Sequence, residues 1–328
     1  MKPLRFNYIL KPTLWGGDGI ARFKHLDNSQ DIGECWEISG LSGNETKISG
    51  GDFDGKTISE AAAVCGEQLL GKKVFKKYGT NFPLLIKFIA PDRDLSIQVH
   101  PGDALAKSLG LPWGKTEMWY IVDTLPKSKL YLGFNHDITP EEYDESIEKG
   151  TLCEHLNIYT TTPGECYFIP SGQVHCIGRG NLLIEVQQSS NETYRIYDFG
   201  RLDANGNLRE LHTELARKAL NYEHRDLKVG YDAFPNEASE LLQCKYFNTR
   251  VFHIDKPTNV DYSSVESFAI FVAFKGKAKL TDAFGNVETL AAGESIMFPA
   301  VNSEVKINPI ESPFSFLEVT LPIADGEK

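Results

Sequence analysis

The sequence predicts a mainly β protein with antiparallel strands, into which helices are inserted or appended. Short segments rich in β-branched and aromatic residues recur along the chain, bounded by Gly, Pro, Asn and Asp. They do not alternate regularly with helical segments, which disfavours a parallel α/β sheet. One seven-residue pattern occurs twice, as GECYFIP at 164–170 and GESIMFP at 293–299. This repetition predicts two related β units.

The individual elements follow from local patterns. The strands predicted between residues 80 and 200 are Leu84–Ala90, Asp94–His100, Glu117–Asp123, Lys129–Phe134, Cys166–Pro170, Leu182–Gln188 and Thr193–Phe199. Two capping patterns predict helix starts, because Thr57 is followed by Glu60 and Thr139 is followed by Pro140 and Glu142. Weaker helical patterns lie at 101–110 and 208–222.

A polar, turn-rich segment at 223–238 separates the two copies of the repeat and contains Pro235. We therefore expect two domains, 1–235 and 236–328. The second copy has lost the Gly and His that follow the Pro in the first copy. We expect the second domain to bind no metal.

The composition excludes several classes of protein. There are 34 Lys and Arg against 45 Asp and Glu, and the formal net charge is −11. Such a chain lacks the basic surface needed to bind nucleic acid or an anionic membrane. No apolar run is long enough to span a bilayer, and the start of the chain lacks the apolar segment of a signal peptide. Six cysteines without a CxxC pair indicate free thiols, so we expect a cytoplasmic protein.

Two polar residues share one face of a predicted strand. In Asp94–His100, the period of two places Gln98 and His100 on the same side, opposite Leu95, Ile97 and Val99. A lone histidine on a polar strand face usually contacts only solvent. A functional role for Gln98 and His100 therefore depends on further candidate ligands elsewhere in the sequence.

Those residues come from two motifs that resemble the cupin superfamily, whose members are small antiparallel jelly-roll barrels. The pattern G-x5-P-x-G-x2-H ends at His175 and matches the second cupin motif, although Arg179 replaces an expected Asn. Gln98, His100 and then Glu117 fit the first motif, with Gln98 where many cupins have a histidine. Two imidazoles, a carboxylate and an amide oxygen suit zinc or another borderline divalent ion.

Five segments together carry a closer resemblance. They are Trp15-Gly16-Gly17, Gln98-Val99-His100-Pro101 with Asp103, Gly114-Lys115-Thr116-Glu117, Pro170-Ser171-Gly172-Gln173-Val174-His175 and Gln187–Asp198. They are similar to those of type I mannose-6-phosphate isomerases in their short bacterial form, and the similarity runs through most of residues 1–225. The resemblance implies two cupin-like jelly-roll units and one zinc ion per chain, held by Gln98, His100, Glu117 and His175.

The resemblance also implies an activity and further site residues. The activity is the interconversion of mannose 6-phosphate and fructose 6-phosphate. Arg195 matches the active-site arginine of the family, while Lys115, Glu185 and Arg201 fall at other polar site positions. We expect Arg195, Lys115 and Arg201 to bind the phosphosugar. Such an isomerisation passes through an enediolate, and a Lewis-acid metal stabilises its negative charge.

Glu185 lies within the apolar run Leu182–Val186, where a carboxylate is costly unless it is paired. We interpret it as facing inward and as a candidate for the base that moves the proton between C1 and C2. Burial would raise its pKa and a nearby cation would lower it, so the two effects oppose. The alternative is a structural buried ion pair.

Two other functions remain open on the sequence. Two histidines with one carboxylate are also the ligand set of non-haem iron oxygenases, although Gln98 as a fourth ligand favours zinc. A non-catalytic sugar-binding cupin is the second alternative, and Lys115 and Arg195 argue against it. The oligomeric state, monomer or homodimer, stays open. The segment Trp15–Gly19 lacks the spacing of a phosphate-binding loop and is interpreted as a turn.

Overall fold

The computed structural model describes residues 1–27, 31–203 and 205–322. Its strands are β1 (Arg5–Asn7), β2 (Ile9–Gly17), β3 (Ile32–Ser39), β4 (Lys47–Ser49), β5 (Leu84–Ile89), β6 (Ile97–Val99), β7 (Glu117–Thr124), β8 (Lys129–Phe134), β9 (Leu156–Thr160), β10 (Cys166–Ile169), β11 (His175–Ile177), β12 (Asn181–Gln188), β13 (Tyr194–Tyr197), β14 (Lys228–Val229), β15 (Ser239–Gln243), β16 (Asn248–Ile254), β17 (Thr258–Asp261), β18 (Ala269–Asp282), β19 (Val287–Ala291), β20 (Ser295–Phe298) and β21 (Glu304–Thr320).

The helices are α1 (Gly19–Lys24), α2 (Ile58–Cys65), α3 (Glu67–Leu70), α4 (Lys72–Tyr78), α5 (Asp103–Ser108), α6 (Pro140–Lys149) and α7 (Thr213–Ala219). Both predicted capping boxes are present, since Thr57 and Thr139 each accept from the backbone of the glutamate three residues on. Helices α5 and α7 occupy the two weaker predictions. Within the described ranges, no helix is both long and apolar enough to cross a bilayer.

One compact unit comprises Leu10–Cys35 and Ile86–Val229. Its strands belong to a sheet of order β14-β10-β7-β12-β5-β3-β2 and to a second of order β13-β6-β11-β8-β9. Apolar side chains from both sheets form one core, among them Trp119 and Leu183 from the first and Ile97 and Leu132 from the second. The unit is therefore an antiparallel sandwich of the predicted kind.

The other compact unit comprises Met1–Ile9, Trp36–Leu85 and the chain from Gly230 onward. Its main sheet has the order β15-β16-β21-β18-β19, with β17 added to β21 and β20 added to β18. The core includes Phe252, Phe271 and Phe316. The ring of Phe316 stacks on those of Phe252 and Phe271, with centroid distances of 4.7 and 4.3 Å, respectively. The predicted fold class, mainly β with antiparallel cupin-like units and inserted helices, is confirmed.

The two copies of the repeated pattern occupy matching positions in the fold. Gly164 and Gly293 both have positive φ, 92° and 83°, and each precedes a short strand, β10 or β20, that ends before a proline. Glycine reaches this backbone conformation without the steric cost of a Cβ atom. The repeat therefore preserves a turn and the strand that follows it.

The predicted domain boundaries, 1–235 and 236–328, stay a prediction. The observed grouping also changes units near that point, at Gly230, but it places Trp36–Leu85 with the C-terminal strands. In that unit the backbone of Ala300 donates to the carbonyl of Leu69 at 2.9 Å, a contact that no local composition reveals. Residues 323–328 of the predicted second domain lie outside the described residues.

The interpretation of Trp15–Gly19 as a turn is wrong, because Trp15–Gly17 belongs to strand β2 and Gly19 begins α1. Gly16 and its neighbour across the sheet, Gly33, instead allow two segments of chain to approach closely. A Cβ atom on Gly16 would lie 2.3 Å from the carbonyl oxygen of Asp31, and one on Gly33 would lie 2.2 Å from Thr13 Oγ1. Glycine inside a strand commonly marks such a contact.

Candidate metal centre and active site

Three predicted ligands come together in the sandwich unit. His100 directly follows β6, Glu117 begins β7 and His175 begins β11. All three are at most 1% exposed, and their ligand atoms lie within 4.8 Å of one another. His100 Nε2 and His175 Nε2 are each 3.5 Å from one carboxylate oxygen of Glu117. The side chains thus converge on one small volume, as the motifs predict.

Backbone contacts orient both imidazole rings. His100 Nδ1 lies 2.7 Å from the carbonyl oxygen of Glu192, and His175 Nδ1 lies 2.9 Å from that of Gln173. Because a carbonyl only accepts, each Nδ1 carries the proton and each Nε2 presents its lone pair toward Glu117. Metal-ligating histidines commonly show this second hydrogen bond.

The two imidazoles are neutral in this setting. Burial lowers the pKa of His175 to about 4, and burial followed by the charge of Lys115 holds the pKa of His100 well below its usual value. Neutral imidazole is the form that binds a metal. Burial and then the charge of Glu185 raise the pKa of Glu117, while Lys115 opposes them. A bound divalent cation would favour the ionised carboxylate.

Gln98 and Lys115 complete the cluster. Gln98 Nε2 lies 3.3 Å from His175 Nε2, and a half-turn of the amide would present its oxygen there instead. Lys115 Nζ lies 3.0 Å from both Glu117 Oε2 and His100 Nε2. Two neutral imidazoles beside a buried carboxylate fit a divalent cation.

A cavity of about 940 Å³ opens beside this cluster, and all its lining residues belong to the sandwich unit. Four predicted site residues line it: Gln98, Lys115, Glu185 and Arg195. Further charged residues in its wall are Asp31, Glu34, Lys87, Arg93, Glu192 and Arg209. Gln98 and Lys115 both line the cavity and contact the candidate ligands. The cavity therefore adjoins the metal centre.

Glu185 forms the buried ion pair that the sequence left as an alternative. Its Oε1 lies 2.9 Å from Lys87 Nζ, and its Oε2 accepts from Trp119 Nε1 at 3.0 Å. Burial acts to raise the pKa of Glu185, but the charges of Lys87 and Lys115 outweigh it, so the net shift is downward. The opposing effects therefore do not cancel, and Glu185 is ionised at neutral pH.

Lys87 is a site residue that the sequence reasoning missed. It is 3% exposed, and its Nζ also lies 3.6 Å from Glu34 Oε2. Burial acts to lower its pKa, but Glu185 and Glu34 more than offset this and raise it. The sequence does contain a pattern that indicates a buried lysine. Lys87 interrupts the apolar run Leu84–Ile89, just as Glu185 interrupts its own apolar strand.

The two predicted arginines are placed differently. Arg195, on β13, lines the cavity, and its Nη1 donates to the carbonyl of Glu210 at 2.8 Å. Arg201 does not line this cavity. Its Nη2 pairs with Asp198 at 2.6 Å and its Nη1 donates to the carbonyl of Asp94 at 2.6 Å. The chain turns at Phe199, after β13, which carries Arg201 away; its role in substrate binding stays a prediction.

The fold and the site define the class of the protein. It is a cupin-like β protein in which a buried His-Glu-His cluster adjoins a polar, charged cavity. Comparison with known proteins identifies the family. The model of "Phosphomannose isomerase type I, catalytic domain" matches residues 5–168.

Curated relatives agree with this match. Mannose-6-phosphate isomerase ManA of Bacillus subtilis is 31% identical over 312 residues, which cover 93% of this chain and 96% of the relative. A mannose-6-phosphate isomerase of Streptococcus mutans is 32% identical, with 65% of this chain and 66% of the relative covered. The chain therefore belongs to the type I phosphomannose isomerase family, and the prediction that it is an enzyme of this family is confirmed.

Solved structures extend the comparison. The mannose 6-phosphate isomerase from Bacillus subtilis has a TM-score of 0.88 and 28% identity, covering 97% of this chain and 99% of that one. A variant of phosphomannose isomerase from Salmonella typhimurium has a TM-score of 0.77 at 15% identity, with 98% of this chain and 100% of that chain covered. At that identity, the second match shows the fold alone.

Proposed function

We propose that this enzyme interconverts mannose 6-phosphate and fructose 6-phosphate through an enediolate, with one zinc ion per chain held by Gln98, His100, Glu117 and His175. The observation that carries the proposal is the pair of neutral imidazoles set against a buried carboxylate beside a charged cavity. The substrate follows from the relatives in Bacillus subtilis and Streptococcus mutans, which are mannose-6-phosphate isomerases. We place the activity in the cytoplasm, because a phosphorylated sugar is too highly charged to cross a membrane unaided.

The donor set favours zinc over the iron of an oxygenase. When bound, zinc would act as a Lewis acid that stabilises negative charge on the substrate. Two histidines and a carboxylate leave several positions open in an oxygenase site, whereas here the amide oxygen of Gln98 would fill one of them. The direction of both imidazole Nε2 atoms toward Glu117 supports this arrangement.

Cationic side chains support binding of a phosphorylated substrate in an acidic protein. The cavity wall carries Lys87, Lys115, Arg195 and two further arginines. Arg195 provides a planar donor that matches phosphate oxygens, and its buried Nε has no hydrogen-bond acceptor among the described residues. Lys115 adds a compact charge between the candidate ligands and the cavity. We assign the phosphate or the developing oxyanion to these two residues.

Glu185 is our candidate for the proton transfer. The reaction moves a proton from C2 of the aldose to C1 and a hydroxyl proton from O2 to O1, so that the carbonyl passes from C1 to C2. Lys87 keeps Glu185 ionised, which is the form that accepts a proton. Its low pKa makes it a weaker base than an unpaired glutamate. It is nevertheless our candidate because it is a carboxylate that lines the cavity.

The direct test is a coupled assay with the purified protein, its metal content and matched sugars. We expect turnover of mannose 6-phosphate, loss of turnover on chelation and recovery with zinc. Unphosphorylated mannose should be a poor substrate. Equal turnover of the two sugars would contradict the phosphate assignment. Oxygen consumption with an iron-loaded protein would indicate the oxygenase, and sugar binding without turnover would indicate the non-catalytic cupin.

Arg195→Ala should lower kcat/KM for mannose 6-phosphate by a factor that corresponds to a loss of roughly 2–4 kcal/mol of transition-state stabilisation. This loss is expected for a charge-assisted contact that strengthens in the transition state. The low activity on mannose should change little, because that sugar carries no phosphate. Arg217→Ala is a matched control, since Arg217 pairs with Asp144 and Glu141 and does not line the cavity. Equal losses on the two sugars would show that Arg195 does not contact phosphate.

A further inference from the structure

We infer that the sandwich unit carries a second binding site, which takes a small phosphate-bearing molecule with a ring and lies beside the candidate active-site cavity. The site is a cavity of about 670 Å³. Five cationic side chains line it: Arg93, Lys127, Lys129, Arg179 and Arg201. This volume suits a small ligand.

The cavity lies at the opposite end of the strands from the metal centre. Strand β7 begins at Glu117, and Lys127 follows its far end. Strand β11 begins at His175, and Arg179 follows its far end. Lys129 begins strand β8, and the other lining residues of the second cavity lie outside the strands. None of the candidate metal ligands lines it, so a ligand in it binds away from the metal centre.

The charges in the cavity are unbalanced. The carboxylates in its lining are Asp92 and Asp94, and Asp94 Oδ1 already accepts from the backbone N–H of Arg179 at 2.8 Å. Across residues 1–27, 31–203 and 205–322, Arg201 alone of the five cations forms an ion pair, with Asp198. Clustered like charges repel, and a bound anion relieves that repulsion. Such a cluster is notable in a chain of net charge −11.

Backbone strain and an unused donor occur at the same place. Lys127 and Phe199 have φ values of 68° and 55°, in the left-handed region that bulky residues rarely adopt. Residues held in such conformations concentrate at ligand sites. The buried Nε of Arg201 has no hydrogen-bond acceptor within the described residues. Both features favour a ligand site over an incidental crevice.

The lining indicates the class of ligand. Arginine and lysine side chains together suit phosphate oxygens, since the guanidinium donates in pairs and the ammonium acts as a point charge. Phe199 is 38% exposed, and the Arg201 guanidinium lies over its ring, 5.8 Å from the centroid. An aromatic face beside cations suits the sugar or base of a phosphorylated molecule.

The second cavity is also connected to the first. Arg93 lines both cavities. Asp198 pairs with Arg201 in the second and, at 3.3 Å, with Arg209 in the first. An anion that draws Arg93 toward the second cavity removes positive charge from the first. If the proposed function holds, the ligand should therefore raise KM for mannose 6-phosphate and leave kcat nearly unchanged.

The test is calorimetric titration of the metal-loaded protein at low salt with ADP, fructose 1,6-bisphosphate, inorganic phosphate and adenosine. We expect saturable binding of at least one phosphate-bearing probe, weakened by added salt, and no binding of adenosine. ADP binding alone would indicate a nucleotide, and bisphosphate binding alone a sugar phosphate. Inorganic phosphate binding as tightly as either would indicate that free phosphate is the ligand.

The double variant Lys127→Ala with Arg179→Ala should weaken this binding at least tenfold, while isomerase activity without the probe stays at the wild-type level. Arg22→Ala with Lys149→Ala removes the same charge from exposed positions outside both cavities and should bind normally. Equal binding by the two double variants, or no binding to the wild type, would overturn the site. An unchanged KM for mannose 6-phosphate with a bound probe would overturn only the proposed link between the two cavities. The titration does not depend on turnover, so it would still test the second site if the proposed function failed.

Discussion

His175→Ala is expected to abolish metal binding and nearly all turnover while the protein stays folded. The substitution removes one of two neutral imidazoles that face Glu117, and the described residues place no third histidine in the cluster. The core of the unit is apolar and does not depend on a metal for its packing. Metal content by mass spectrometry, the coupled assay and a thermal melt measure the three expectations.

His253→Ala is the control for this variant. His253 lies in the other unit, where its Nδ1 is 2.9 Å from Ser315 Oγ, and we expect metal content and kcat to stay at wild-type values. Full turnover by His175→Ala, or by the wild-type protein stripped of metal, would remove the basis for a metal-dependent reaction.

Glu185→Gln should lower kcat by about 10²–10⁴, the usual contribution of a positioned general base. Glutamine keeps the shape of the side chain and can still accept from Trp119 Nε1, but it cannot take a proton. We expect metal content to remain intact, since Glu185 is not among the candidate ligands. The measurements are kcat, metal stoichiometry and deuterium incorporation from solvent at C1 or C2 of the recovered sugar.

Lys87→Met separates a catalytic role for Glu185 from a structural one. It breaks the same ion pair but keeps the carboxylate, whose pKa should rise toward its usual value. We expect a much smaller loss of kcat, with the acid limb of the pH profile moved to higher pH. If Glu185→Gln exchanges protons and turns over normally with its metal in place, Glu185 is structural and another cavity residue is the base.

The ligand cluster could be predicted because its residues lie in short motifs that resemble those of known cupins. Gln98 and His100 share a strand face, and His175 ends a glycine and proline pattern that fixes a turn before a strand. The antiparallel pairing of β6 with β11 then sets His175 opposite Gln98. That pairing joins residues 77 apart in the chain, so the motifs predict the ligands and the tertiary fold brings them together.

The remainder depends on contacts that local patterns do not specify. Arg201 follows a turn at Phe199, and its Nη1 donates to the carbonyl of Asp94, 107 residues earlier in the chain. The partner of Glu185 is Lys87, nearly a hundred residues earlier in the chain. The grouping of Trp36–Leu85 with the C-terminal strands is equally non-local. Each of these contacts depends on the tertiary fold, which local sequence patterns do not specify.

The pairing of Lys87 with Glu185 across neighbouring strands β5 and β12 bears on how the fold tolerates acid. The pKa of Glu185 is lower in the folded protein than in the unfolded chain. The stabilisation from this carboxylate is therefore complete above the usual glutamate pKa of about 4.3 and is lost only as the pH falls toward the depressed folded value. Mild acidification should consequently titrate the exposed carboxylates first and leave this cross-strand link intact.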